Sequence, residues 1–284
     1  MIELIFPKRH TALSLNSAFF GFFAHTGFVR GLQEIGFKPS IITGCSSGAL
    51  VGALYASGAD MREVERMILG LKKGDFWEGN FFHQVQKLFR HGLKDYSGVL
   101  TGKATRALLN PFLGVKTFKD LPIKLGLAVS NLTLGKRELI QEGIVIDAVM
   151  ASIAFPILYE IQKKNGQEYL DGGIADPEPI KELILDPAID RIIIHAIDNS
   201  KPSHSNLLKR AFDASVRIIE SETSELKELL AASRGKTLLR ITTKTPYLSP
   251  SNFKEGAFAM AEAKGSAYLH ASAILGKTLP FSLF

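Results

Sequence analysis

The residues best suited to chemistry fall in two short stretches far apart in the chain. The first, Gly44-Cys45-Ser46-Ser47-Gly48, fits the pattern G-x-S-x-G and lies between a β-branched run, Ser40–Thr43, and the helical pattern of Ser47–Ala56. A sharp turn from strand to helix crowds backbone segments together, and Gly44 and Gly48 remove the Cβ atoms that would obstruct it. Ser46 would then project from the carboxyl edge of a sheet, near the positive end of the following helix, where a developing anion is favoured. The same five residues also admit a cradle for a bound anion, or a plain tight connection.

The second stretch is Asp171-Gly172-Gly173, after the short strand ending at Tyr169-Leu170. Asp171 is the candidate base for Ser46, and an Asp-Gly pair is equally an ordinary turn. Asp176 and Glu178 read as solvated or capping groups. His195, His204 and His270 all follow Asp171, the chain order of a Ser-acid-His triad. His204, in a polar loop, is the better placed of these as a base; His195 sits in an apolar strand, where a buried, satisfied histidine is the default. Neither an H-x-x-x-H nor a C-x-x-C nor a calcium-type acidic loop occurs, so neither metal nor cofactor is expected. The net charge of +6 comes without a nucleic-acid reading motif.

These residues need a scaffold of alternating strands and helices. Strands are predicted at Thr11–Leu15, Ser40–Thr43, Ile123–Ser130, Arg137–Gln141, Arg191–Ile197 and Leu238–Thr242. Helices are predicted at Gly21–Ile35, Ser47–Ala56, Met61–Leu69 and Asp147–Ala154, with long helical segments at Leu207–Ala232 and Ser251–Leu275. The alternation argues for a mainly parallel sheet covered on both faces. With 284 residues and no repeat or linker-like run, one domain spanning 1–284 is expected. A single cysteine excludes an internal disulfide framework, and Cys45 reads as an inert packing residue.

The start of the chain lacks the pattern of a secretory signal, and its longest nearly uncharged run, Thr11–Val29, is too interrupted to span a membrane. A soluble, cytoplasmic protein is the expectation. Residues 72–96 interleave Phe76, Trp77, Phe81, Phe82 and Phe89 with lysines and arginine, a composition suited to an aromatic and basic lid or a membrane-interface insert. An ordinary core-packed helix would also account for it.

Five segments in order carry a family resemblance: "TALSLNSAFFGFFAHTGFVRGLQEIGFKP", "ITGCSSGALVGALYASG", "TFKDLPIKLGLAVSNLTLGKRELI", "MASIAFPILYEI" and "YLDGGIADPEPI". Together they resemble the patatin-like phospholipases, from about Thr11 to Ile180. The resemblance implies a three-layer α/β/α sandwich and a Ser-Asp dyad that uses no metal, cofactor or histidine. On matching positions Ser46 is the nucleophile and Asp171 the base, with Gly44, Gly48, Gly172 and Gly173 as the motif glycines. The implied oxyanion donors are the backbone N–H groups of Ser17, Ala18, Phe19 and Ser47. The implied substrate is a phospholipid or other fatty-acyl ester, with peripheral contact to an anionic membrane surface.

This sequence departs from the family's glycine-rich loop, because Asn16-Ser17-Ala18-Phe19-Phe20 precede the surviving Gly21. Where such a loop needs positive φ, strain is expected at Ser17 and Ala18, of order 1 kcal/mol or more each. His25, one residue later than the family's spacing, reads as structural. Two alternatives stand beside the dyad: a triad esterase using His204 or His195, and a catalytically weakened lipid-binding member.

Overall fold

The computed structural model describes residues 10–76, 98–156, 158–199, 207–248 and 253–276. Five strands form the parallel part of the sheet: β1 (His10–Leu15), β2 (Ile41–Cys45), β3 (Lys124–Asn131), β7 (Ile189–Asp198) and β8 (Thr237–Lys244). Their order is β3-β2-β1-β7-β8, every neighbouring pair parallel. Three antiparallel strands complete it: β4 (Lys136–Ile140), β5 (Gln162–Lys164) and β6 (Gln167–Asp171). β5 and β6 form a hairpin whose turn residues, Asn165 and Gly166, both have positive φ, as a tight two-residue connection requires.

Helices cover both faces. They are α1 (Phe22–Glu34), α2 (Ser47–Ala56), α3 (Met61–Leu69), α4 (Lys73–Phe76), α5 (Lys103–Leu113), α6 (Val145–Ser152), α7 (Lys181–Leu185), α8 (Leu207–Ser233), α9 (Gly256–Leu269) and α10 (Ala271–Leu275). Successive strand residues point to opposite sides. Leu13, Ile42 and Ile193 therefore pack with Phe28 of α1, Leu54 of α2 and Ala263 of α9. Their neighbours Ala12, Ile41 and Ile192 pack with Leu183 of α7 and Ala231 of α8 on the other side. A sheet buried on both faces explains the unbroken run Ile192-Ile193-Ile194 at the centre of β7.

The pairing around β3 positions the site. β2 runs along one edge of β3 as far as Cys45 opposite Ala128, and β4 occupies the other edge from Leu127 onward. β6 pairs with Val129 to Asn131, so it must take the edge that β2 has just left, approaching from the opposite direction. Asp171 pairs with Val129, one residue beyond the partner of Cys45. Two strands thus meet head to head in one lane, and both turn away where they meet.

The structure corrects several expectations. Ser251–Leu275 is not one helix; α9 and α10 are separated at His270. α5, with Pro111 inside it, was not foreseen, nor were β5 and α7. Nearly all of the 72–96 stretch lies outside the described residues, as does His204. Among the described residues no helix is long and apolar enough to cross a membrane.

Candidate active site

Ser46 sits between the end of β2 and the start of α2, at φ 52° and ψ −117°. That conformation is strained for any residue with a Cβ, and the surroundings hold it in place. The Ser46 N–H donates to Ser152 Oγ at 3.0 Å, and Ser152 Oγ donates to the Ala128 carbonyl at 2.7 Å. Ser152, the last residue of α6, therefore ties the elbow to β3. Close packing fixes the turn further: a Cβ on Gly48 would lie 2.1 Å from the Leu15 carbonyl oxygen. Gly44 faces the Gly48 carbonyl in the same way.

Asp171 arrives from β6 in the shared lane. Ser46 Oγ donates to Asp171 Oδ2 at 2.6 Å. The other carboxylate oxygen, Oδ1, accepts the Gly173 N–H at 2.7 Å. Gly172 lets the chain turn against β3, where a Cβ would meet the Ala128 carbonyl oxygen at 2.1 Å and Cys45 Sγ at 3.0 Å. Asp171 is only 2% exposed. Burial pushes its carboxyl up to about 6, against the opposing pull of the hydrogen bonds from Ser46 and Gly173. Cys45, fully buried behind the pair, has its thiol pushed well above the usual range by that burial, reinforced by Asp171 and Asp176.

The loop after β1 closes the site from the other side. The Ser17 N–H donates to the Pro177 carbonyl at 2.8 Å, so the structure removes Ser17 from the expected set of free donors. The Ala18 N–H makes a long contact of 3.3 Å to Ser47 Oγ. Among the described residues no protein acceptor engages the N–H groups of Phe19 or Ser47. Strain falls on Phe20 at φ 54°, and not on Ser17 or Ala18 as expected. The Phe20 ring is packed edge-on against Phe19, Phe22 and Phe253, which holds its backbone in that conformation.

Ser17, Ala18, Phe19, Ser46, Ser47 and Asp171 all border one cavity of about 210 Å³. Its remaining walls are mostly apolar, including Phe22, Leu50, Leu100, Ile153, Leu158 and Phe253. The main polar feature is a pair of hydroxyls, Thr105 Oγ1 and Tyr159 Oη, 2.9 Å apart. Phe19 and Phe155 line the cavity and are also 37% and 49% exposed, so it reaches the surface between them.

Neither described candidate for a triad base is available. His195 is fully buried, with Nδ1 2.8 Å from His25 Nδ1 and Nε2 3.0 Å from Thr243 Oγ1. His270 lies at the far end of α9 and contacts the Ser266 carbonyl. Asp176 and Glu178 are not solvated groups: they are 4% and 5% exposed. Arg137 and Lys227 pair with Asp176 at 2.6 and 2.5 Å, and Arg240 binds Glu178 through both terminal guanidinium nitrogens, Nη1 and Nη2. Residue-by-residue reading of an isolated turn could not find these partners, which come from β4, α8 and β8. Among the described residues no group of His, Cys, Asp and Glu is clustered to hold a metal ion.

Fold and site together define an α/β protein with a serine on a strand-to-helix elbow, bonded to a buried carboxylate beside an apolar cavity. The sequence pattern of the patatin-like phospholipase family matches residues 13–184, more than half of the chain, and the chain belongs to that family. An uncharacterized NTE family protein of Mycobacterium tuberculosis is 27% identical over 169 residues, covering 60% of this chain and 44% of its own. Lysophospholipase NTE1 of Cryptococcus neoformans is 25% identical over 185 residues, 63% of this chain and 11% of that one. The chain thus spans less than half the length of these curated relatives. VipD from Legionella pneumophila shares the fold, with a TM-score of 0.57 and 14% identity over 94% of this chain and 67% of VipD.

Proposed function

We propose that the protein is a serine acyl hydrolase acting on phospholipids, lysophospholipids or related fatty-acyl esters through a Ser46–Asp171 dyad. The observation that carries this reading is the 2.6 Å bond from Ser46 Oγ to Asp171 Oδ2 at the wall of an apolar cavity. Ser46 Oγ attacks the ester carbonyl and its proton passes to Asp171. The oxyanion is met by the N–H groups of Phe19 and Ser47, with that of Ala18 once it leaves its long contact. Collapse of this intermediate expels the alcohol, which takes the proton from Asp171. A water molecule then gives a proton to Asp171 and attacks the acyl-enzyme, and the departing Ser46 Oγ takes that proton back as the fatty acid is released. A carboxyl raised to about 6 suits this role, being ionised at neutral pH yet basic enough to accept the proton.

Contact with a lipid surface belongs to the same reading. Phe19 and Phe155 stand exposed at the cavity mouth, Ile174 is 55% exposed three residues beyond Asp171, and the chain carries a net charge of +6. Such a surface would deliver an acyl chain directly to the cavity.

The test is hydrolysis of a short-chain ester and of lysophospholipid, alongside covalent labelling with a fluorophosphonate. Ser46→Ala is expected to abolish both turnover and labelling, and Asp171→Asn to abolish turnover with the fold intact. Full activity in either variant removes the dyad, and folded wild-type protein that neither labels nor turns over removes the enzyme reading in favour of lipid binding.

A further inference from the structure

The loop from Asn16 to Phe20 has no glycine, yet it must present backbone N–H groups beside Ser46. Its shape is set by anchors. The Asn16 N–H donates to the His195 carbonyl at 3.2 Å, and Asn16 Nδ2 donates to Glu178 Oε2 at 3.0 Å. The Asn16 carbonyl lies 2.8 Å from His25 Nε2. A carbonyl can only accept, so His25 carries its proton on Nε2 and presents a lone pair at Nδ1. His195 Nδ1, 2.8 Å from that lone pair, must then be the donor. His195 Nε2 is left as an acceptor facing Thr243 Oγ1 at 3.0 Å. One end of the chain thus fixes the tautomer of every member.

Both imidazoles are fully buried, and Phe28 stacks on His195 with ring centroids 3.9 Å apart. Burial keeps the pair neutral, holding His25 down at about 4 and His195 lower than an ordinary histidine. The dyad uses neither ring. A core position could be filled by leucine or phenylalanine at no polar cost, whereas two buried imidazoles need every nitrogen paired.

We propose that His25 and His195 are a positioning pair, which pins Asn16 from behind so that the N–H groups of the oxyanion loop point at the reacting carbonyl. This rests on the hydrolase reading above. The pair does the work that glycines would do conformationally: the loop is tied into place instead of being free to adopt the shape. A displacement of about 1 Å in such a donor costs about 100-fold in rate.

The experiment compares His25→Leu with His25→Gln in the full chain. Gln can donate through Nε2 to the Asn16 carbonyl and accept through Oε1 from His195, while Leu does neither. With a soluble ester, His25→Leu is expected to lower kcat and the fluorophosphonate labelling rate about 100-fold with KM little changed. His25→Gln is expected to recover the rate to within about fivefold, because its amide can remake both bonds. Hydrogen exchange over residues 16–21 should quicken in the Leu chain and not in the Gln chain, a readout that needs no turnover. A failed dyad would silence labelling in the wild type while leaving this exchange difference intact, so the two ideas fail separately. A Leu chain that melts earlier but turns over at the wild-type rate overturns the proposal, as does a Gln chain no better than Leu. If the Leu chain does not fold, Thr243→Val keeps the shape and removes only the hydroxyl facing His195. It should lower kcat about tenfold through loss of the hydroxyl's bonds to His195 and Ser266, and an unchanged rate there overturns the proposal equally.

Discussion

Asp171→Asn should make the protein inactive and, at neutral pH, more stable. In the folded chain the carboxyl of Asp171 titrates near 6 because it is buried, against an unfolded value of 3.8. The folded state therefore holds this proton more tightly than the unfolded state does, and stability falls as pH rises from about 4 to about 6. A shift of about 2 units corresponds to about 3 kcal/mol of stability, fully present below about pH 4 and fully lost above about pH 6. Asparagine is isosteric and uncharged, and it can still accept from the Gly173 N–H while its amide donates to Ser46 Oγ. The two proteins should match near pH 4, diverge by about 1.4 kcal/mol per pH unit, and differ by about 3 kcal/mol above pH 6. Urea unfolding of both proteins across pH 4 to 8, followed by circular dichroism, isolates this difference because every other titrating group is common to the pair. In the same range kcat/KM of the wild type on a soluble ester should rise with pH and reach half its maximum near 6, as Asp171 loses its proton. A stability difference that stays flat with pH, or a wild type more stable than Asp171→Asn at pH 8, would refute the assignment of Asp171 as a desolvated base.

Three further outcomes test the elbow. Ser46→Gly and Ser46→Ala should both abolish labelling, but Gly should be the more stable by about 1–2 kcal/mol, measured by denaturation, because φ 52° no longer opposes a Cβ. Ser152→Ala leaves the Ser46 N–H without its acceptor and should cost about 1–3 kcal/mol of stability, with a slower labelling rate. Gly48→Ala forces a Cβ to within 2.1 Å of the Leu15 carbonyl oxygen and should cost about 3 kcal/mol or more, read as a fall in melting temperature.

Much of the scaffold is legible in the sequence because its signals are local. α2 at Ser47–Ala56 and α3 at Met61–Leu69 begin and end where the apolar spacing predicts, and the parallel strands lie within a residue or two of their β-branched runs. Ser46 and Asp171 could be picked out because each lies in a short glycine-marked turn, and the order of five segments joined them. Contacts between distant segments were not legible. Asp176 and Glu178 look solvated in "GGIADPEP", since nothing nearby shows that Arg137, Lys227 and Arg240 converge on them. The loop 16–20 misled for a similar reason: positive φ falls on Phe20, which rings contributed by Phe22 and Phe253 stabilise from outside the loop. α5 was not foreseen, and Pro111 inside it argues locally against a helix, because proline has no N–H to donate back along the turn.

The head-to-head meeting of β2 and β6 along β3 also governs when this site can exist. Neither strand pairs with the other; they meet on β3, where Cys45 lies opposite Ala128 and Asp171 opposite Val129. The serine and the aspartate are 125 positions apart in the chain, and the pairing that unites them is of the long-range kind that slows folding. Until both strands have docked, Ser46 has neither its bond to Asp171 nor a rigid elbow. On the proposed hydrolase reading the chain would be in this sense its own proenzyme: a partly folded molecule carries every reactive group and yet has no assembled centre, and completion of the sheet would be the activating step.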